Sequence, residues 1–297
     1  MKNISRSVLD RLKNKTKTTG VPYNQLLLIL CQEEFLRRLS KSEYQKNFVL
    51  KGGLYIYILS AFESRMTVDM DFLLRSKSNN IDAIVKSIVD IISIETDYDF
   101  IEFEFYGVEG ITVEKKYPGV SVKLIGKIGN TKTPLNMDIG IGDVIIPDSE
   151  IRVMQAQLNE FEDVEVLTYS LETTVAEKFD AILQRFELTS RMKDFYDIWY
   201  ITGNFRFDGE VLSKAIKETL NNRGTVIQAD TMERAKNLGD DKIILTRWSH
   251  FKNKMNLSME LSECLMIIEK FIGPIIDKLL VGELLTLEWN ADKRVWE

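Results

Sequence analysis

Apolar residues alternate with polar ones in three successive segments between residues 101 and 141, and this rhythm almost vanishes after Leu171. Ile101, Phe103 and Phe105 alternate with Glu102 and Glu104; Val120, Val122 and Leu124 alternate with Ser121 and Lys123. Met137, Ile139 and Ile141 alternate with Asn136, Asp138 and Gly140. Side chains of a strand point to opposite faces in turn, so each segment predicts a strand with one face buried. With Val68 to Leu74, they predict a sheet of at least four strands. Elsewhere the period is helical. Leu27, Cys31, Phe35 and Leu39 predict an amphipathic helix begun near Pro22 and Asn24, and Ile81, Ile84, Val85, Ile88 and Ile92 predict another. The apolar run Leu54 to Phe62 predicts a buried helix that opens at Gly52-Gly53. Beyond Leu171 the expected helices lie near 171–186, 191–202, 210–222 and 257–280. The parse is α+β: a sheet domain flanked by helices over 1–160, then a mainly helical domain over 161–297, with the boundary region near 147–170.

Composition narrows the chemistry. His250 is the only histidine, and Cys31 and Cys264 are the only cysteines. A histidine-rich metal site, a four-ligand zinc site without carboxylates and a disulfide framework are all disfavoured. Acids, bases and metal ligands must come mainly from Asp, Glu, Lys or Tyr, and hard oxygen ligands point to magnesium or manganese. The longest apolar run, Leu26 to Cys31, is too short to span a bilayer. The opening Met1-Lys2-Asn3-Ile4-Ser5 has no apolar leader, so a soluble cytoplasmic protein is expected.

Net charge is −6, which gives nucleic acid no overall attraction. The charge is uneven, however. Residues 1–51 carry eleven Lys or Arg against four Asp or Glu, whereas residues 95–114 carry seven acids and no base. Arg11, Lys13, Lys15, Lys17, Arg37, Arg38, Lys41, Lys46 and Lys51 make the first segment the best candidate to touch a polyanion. A solvated helical surface is the plainer reading.

Three constellations could carry chemistry. Lys51-Gly52-Gly53 precedes Arg65-Met66-Thr67-Val68-Asp69-Met70-Asp71-Phe72. On a strand Asp69 and Asp71 share a face, and Val68, Met70 and Phe72 turn to the core. Paired carboxylates repel unless a cation lies between them, and a divalent metal there also bridges triphosphate oxygens. The glycines let phosphate approach a helix N-terminus. Asp138 can supply a third carboxylate, or be a solvent-facing strand residue, and Gly140 and Gly142 on its face hint at a bulky neighbour. In the helical part, Lys178 edges the stripe Leu171, Val175, Phe179, Ile182 and Phe186, and either snorkels or reaches phosphate. Arg191, Asp194 and Asp197 share a helix face, and Lys193 with Asp197 suits an ordinary i,i+4 ion pair.

In this order the pieces resemble the AbiEii/AbiGii toxin family, which is similar to nucleotidyltransferases of the polymerase-β-like superfamily. The resemblance runs from the basic N-terminal helix through Ser40-Lys41-Ser42, Phe48-Val49-Leu50-Lys51-Gly52-Gly53 and the Asp69 and Asp71 block. It continues through the Asp138 strand, Thr174-Val175-Ala176-Glu177-Lys178-Phe179 and Ser190-Arg191-Met192-Lys193-Asp194-Phe195-Tyr196-Asp197, the most specific block. Asn222-Arg223-Gly224-Thr225 and Arg247-Trp248-Ser249-His250-Phe251 extend it.

The resemblance implies a nucleotidyltransferase-type mixed sheet and a helical domain that completes the active site. It implies metal at Asp69 and Asp71, with Asp138 as third ligand, and phosphate contact by Lys178. It also implies an essential acid at Asp194 or Asp197 and nucleotide-binding roles for Lys51, Gly52, Gly53, Arg191 and Lys193. One departure is that the superfamily has Gly-Ser where this chain has Gly52-Gly53, so a hydroxyl donor to phosphate is lost and backbone N–H groups and Lys51 carry more of the grip. Implied with these are Mg2+ or Mn2+, a nucleoside triphosphate donor, an RNA acceptor with the tRNA 3′ end foremost, and a cognate antitoxin or phage-defence context. A kinase-like phosphotransferase, a glycosyltransferase and a non-catalytic nucleotide- or RNA-binding protein use overlapping parts and are the rival readings.

Overall fold

The alternation along residues 119–141 becomes two neighbouring strands of a large sheet. The computed structural model describes residues 2–75, 80–111, 119–186 and 189–297, so residues 112–114 of the acidic stretch lie outside the described residues. The chain divides into two compact units: Met1–Gly142 with Glu150–Thr168, and Asp143–Ser149 with Tyr169–Glu297.

The first unit opens with helices α1 (Lys2–Thr19) and α2 (Tyr23–Ser40), followed by strand β1 (Phe48–Lys51) and helix α3 (Gly52–Leu59). Then come β2 (Met70–Leu74), α4 (Ile81–Ile92), β3 (Ile101–Ile111), β4 (Gly119–Ile128), β5 (Thr131–Ile141), β6 (Glu150–Met154) and β7 (Val164–Thr168). They build one seven-stranded mixed sheet in the order β3-β4-β5-β2-β1-β7-β6. β2 runs parallel to β5, β1 runs parallel to β7, and the remaining neighbours are antiparallel.

Along β4 buried and half-buried residues alternate throughout, as a strand with one covered face should. β1 does not alternate: Phe48, Val49 and Leu50 are all buried, because its central place covers both faces. The core centres on Phe72, whose ring lies 5.8 Å from Phe48 and 6.2 Å from Phe35, in the tilted and edge-on geometries aromatic pairs prefer.

α2 departs from the sequence expectation. Every residue from Leu26 to Leu39 is buried, so the helix is not amphipathic but enclosed on all sides. It packs against α1, α4, β5 and β7. Arg37 and Arg38, grouped above with a polyanion-binding surface, are internal instead. Arg37 binds Glu33 at 2.6 Å, Glu34 at 2.9 Å and the Glu162 carbonyl at 2.9 Å, with its guanidinium 4.5 Å from the Tyr98 ring centroid. Arg38 binds Glu34 at 2.8 Å and the carbonyls of Ile92 and Ile101. Glu34 also accepts from Thr96 and Glu33 from the Gln157 amide, so the buried charges are paired and hydrogen-bonded. On α1, Arg11 pairs with Glu160, Lys13 with Asp10, and the Lys15 ammonium donates to the Gln157 carbonyl. Burial lowers the Lys15 pKa, partly countered by Glu33. Much of the basic excess is thus engaged within the fold.

The second unit comprises α5 (Leu171–Leu183), α6 (Met192–Asn204), β8 (Phe207–Asp208), α7 (Gly209–Arg223), α8 (Thr231–Asn237), α9 (Lys242–Met255), α10 (Leu261–Leu280), β9 (Glu288–Asn290) and β10 (Val295–Trp296). The side chain of Ser170 caps α5 by accepting from the Thr173 amide, which satisfies one otherwise orphan donor. α7 ends at Gly224, whose φ of 67° is the left-handed conformation that glycine adopts without steric penalty. α10 packs against α6, α7 and α8, and its Phe271 stacks on Trp296 at 5.4 Å. The Asp143–Ser149 segment is tied to the start of α5: the Ile146 carbonyl accepts from Ser170 and Thr173, and the Ile146 amide donates to the Thr173 hydroxyl. Among the described residues, no helix is long and apolar enough to cross a membrane.

Candidate functional site

Strand register assembles the first half of the site. Lys51 of β1 is the partner of Asp71 on β2, Asp71 is the partner of Asp138 on β5, and Asp138 is the partner of Ser121 on β4. Residues paired across strands share a face, so Lys51, Asp71 and Asp138 stand in one row. Met70 with Met137 and Phe72 with Ile139 occupy the opposite face and are buried. This packing fixes the row, because a slip of one residue would turn Asp71 into the core.

Asp69 lies just before β2. Its carboxylate is 3.5 Å from the side-chain amide of Asn136, which shares the face of Asp138. Val68 was expected in the core, yet it is 58% exposed. The strand begins only at Met70, so strict alternation does not extend back to Val68; its carbonyl accepts from the Gln32 side chain.

Gly52 leads straight from β1 into α3 with a φ of 71°. A Cβ at this position would lie 2.7 Å from the Asp71 Cγ and collide with the carboxylate. Only glycine therefore lets the helix N-terminus, with its outward-facing amides, come so close to Asp71. A Cβ on Gly53 would lie 2.7 Å from the Thr67 hydroxyl, so a side chain there would press on Thr67.

Adjacent strands are about 4.8 Å apart, which places the Asp71 and Asp138 carboxylates close enough to repel. A hard divalent cation suits such an all-oxygen donor set and relieves the repulsion. Among the described residues no three or more of His, Cys, Asp and Glu converge as a ready-made metal cluster.

The second half was expected on the helical unit, and there the geometry corrects two expectations. Lys178 neither snorkels nor lies partly exposed; it is 7% exposed. Its ammonium lies 2.5 Å from Asp197 and 3.3 Å from Asp194, joining α5 to α6. Asp197 thus pairs with Lys178, whereas Lys193, its supposed i,i+4 partner, is exposed. Arg191 approaches Asp194 to 2.8 Å, though not along a hydrogen-bond direction. Lys178, Asp194 and Asp197 are buried, and the half-exposed Arg191 balances their charge from the edge of the group.

A further cluster escaped the sequence reading. The Arg223 guanidinium reaches Glu177 at 2.8 Å, Asp143 at 3.0 Å and Asp180 at 3.1 Å. Asp180 also accepts from Thr225 and Gln184, and Tyr169 donates to Glu177 at 3.1 Å. Burial disfavours the Arg223 charge, but Glu177, Asp143 and Asp180 outweigh it and raise its pKa. Burial, then the nearby Glu177 and Asp143, pushes the Tyr169 phenol well above its usual range. A signal was present: Glu177 and Asp180 lie three apart beside a buried stripe, with no base three or four residues from either. Such acids need a distant cation.

Comparison with known proteins is consistent with this arrangement. The family model for the nucleotidyl transferase AbiEii toxin of type IV toxin–antitoxin systems matches residues 34–268. The solved structure of JHP933 from Helicobacter pylori is similar with a TM-score of 0.50 at 14% identity, covering 88% of this chain and 95% of that one. A provisionally assigned nucleotidyltransferase from H. pylori is similar with a TM-score of 0.50 at 15% identity, covering 89% and 99%. At these identities the two structures speak for the fold. No curated protein matches the sequence.

Proposed function

Because this chain belongs to the AbiEii nucleotidyltransferase toxin family, we propose that it transfers a nucleoside monophosphate from a nucleoside triphosphate to an RNA acceptor in the cytoplasm. The 3′ end of tRNA is the leading acceptor, and toxin–antitoxin or phage defence is the context. Family membership implies an antitoxin partner and a nucleoside triphosphate substrate. The observation that carries the reading is the register row Lys51–Asp71–Asp138 beside the Gly52 helix start.

In this reading Asp71 and Asp138, with Asp69 beside them, would hold Mg2+ or Mn2+, which would supply Lewis-acid charge at the triphosphate. The Gly52 and Gly53 amides and Lys51 receive phosphate oxygens at the start of α3. Lys178 is assigned to the triphosphate, with Asp194 and Asp197 orienting its ammonium and Arg191 and Lys193 alongside. The acceptor hydroxyl attacks the α-phosphorus in line, and its proton passes to a carboxylate of the row. A new oxygen–phosphorus bond forms as the bond from the α-phosphorus to the bridging oxygen breaks, and pyrophosphate leaves.

The test is Asp71→Asn, assayed with α-labelled triphosphates and total RNA. Removing one charged group that acts in the transition state should lower label transfer at least about 100-fold. The thermal midpoint should stay near wild type, since asparagine keeps the shape of this half-buried side chain. Undiminished transfer would remove Asp71 from the chemistry. Transfer of γ-label in place of α-label would replace nucleotide transfer with phosphotransfer.

A further inference from the structure

α5 carries Lys178 and then runs on to an open cleft of about 390 Å³. Gln184, Arg185 and Phe186 from the end of that helix face Val226, Gln228 and Arg234 across it. The Arg234 guanidinium lies 4.1 Å from the centroid of the Phe186 ring. Phe186 has a φ of 35°, a left-handed conformation that is strained for an aromatic residue. The ring is half-buried at the cleft, and the Phe186 carbonyl accepts from the Thr189 amide at 2.9 Å. Val226 opposite is 78% exposed. In a chain of net charge −6, two guanidiniums, an aromatic face and two side-chain amides are gathered around one opening. One amide is already oriented, since the Gln184 nitrogen donates to Asp180 at 2.9 Å.

These groups match one ligand chemistry. A flat aromatic face and a planar cation stack an unpaired base, amides bond base edges, and guanidiniums take phosphodiester oxygens. The volume lies within the roughly 300–1,000 Å³ typical of small-ligand sites. Helical rise places Gln184 about 9 Å along α5 from Lys178, a short step for an extended strand.

We propose that this cleft holds an unpaired base of the RNA acceptor strand close to its reacting end. The proposal rests on the RNA-acceptor reading above and adds where the strand is gripped. Phe186 stacks the base, and Arg185 and Arg234 hold the flanking phosphates.

The experiment uses the full chain and a fluorescent single-stranded hexaribonucleotide, with binding followed by anisotropy at several salt concentrations. Phe186→Leu removes the aromatic face but keeps apolar bulk, and should weaken binding about tenfold, the scale of one base–aromatic stack. Phe186→Tyr should keep wild-type affinity, which separates lost stacking from misfolding. Arg234→Gln should weaken binding and flatten its salt dependence, whereas Phe186→Leu leaves the salt slope unchanged. In turnover, both weakened variants should raise KM for RNA and leave KM for the triphosphate unchanged. Asp71→Asn should still bind the oligonucleotide, so its result judges the reaction and not the cleft. Wild-type affinity in both Phe186→Leu and Arg234→Gln, or no binding by the wild type, would overturn the proposal even with Asp71→Asn inactive. A matching rise in KM for the triphosphate would give the cleft to the donor, which also overturns it.

Discussion

The two units bury charge in different ways. On α2, Glu33, Glu34, Arg37 and Arg38 set two negative charges against two positive ones within six residues, and both glutamates are 0% exposed. Around Arg223 a single guanidinium faces three carboxylates drawn from the Asp143–Ser149 segment and α5. There the side chains of Arg223, Glu177 and Asp143 keep 16%, 17% and 10% of their surface in contact with solvent. A balanced quartet can be enclosed because each charge is neutralised by a near neighbour and by hydrogen bonds. A surplus of two negative charges retains access to water, whose dielectric response offsets what the single guanidinium does not. Asp180 is the exception at 0% exposure, and it alone of the three also accepts from both Thr225 and Gln184.

Arg223→Ala should break this contrast most strongly. It leaves three carboxylates without their shared cation and should lower unfolding free energy by about 3–5 kcal/mol, read from the urea midpoint. Glu177→Gln removes part of the surplus instead, and its loss should stay below about 1 kcal/mol, near the net worth of one hydrogen bond. A larger loss in Glu177→Gln than in Arg223→Ala would mean that the surplus is not what makes Arg223 necessary.

Lys178→Ala should come next. Asp197 loses its ammonium partner while Arg191 stays near Asp194, so a loss of about 2–3 kcal/mol is expected in the same measurement. This reverses what a partly exposed lysine would lead one to expect. A wild-type urea midpoint would show that the α5–α6 group holds little of the fold together.

The smallest effect should be at the cysteines, where burial is the largest influence and pushes both thiols up to about 12. With folded pKa values above the unfolded value of about 8.5, the folded state holds its protons more tightly. Their stability contribution is full below about pH 8.5 and declines as pH rises toward about 12. Iodoacetamide at pH 8 should therefore label Cys31 and Cys264 only after denaturation, as mass spectrometry would show. Rapid labelling of native Cys264 would place it outside the enclosed core.

Sequence legibility followed the range of the interactions. β3, β4 and β5 were readable because alternation is local, and so were α4, α5, α6 and α7. β1 was hidden by burial on both faces, and β6 and β7 are short strands that join the sheet only through the pairing of β7 with the distant β1. Lys51, Asp71 and Asp138 were visible as candidates, but their row is a property of register, not of spacing. The charges of α2 resemble a solvated basic patch until β5, β7 and two neighbouring helices enclose them. Arg223 meets Asp180 across 43 residues and Asp143 across 80, beyond what any local period can encode.

The Asp143–Ser149 excursion has its own consequence for how this chain can be divided. The polypeptide leaves the sheet unit after Gly142, contributes Asp143 to the Arg223 cluster, and returns to lay down β6 and β7. No single cleavage point yields two whole pieces. A fragment stopped at Gly142 leaves β1 without its parallel neighbour and α2 without Gln157 and Glu162 as partners. A fragment started at Tyr169 leaves Arg223 with two of its three acids. On the ribosome, the sheet cannot close until Thr168 has emerged, by which time the segment destined for the other unit has already been made. The two halves are interleaved in synthesis order, and evolution can exchange either one only by replacing two separate stretches at once.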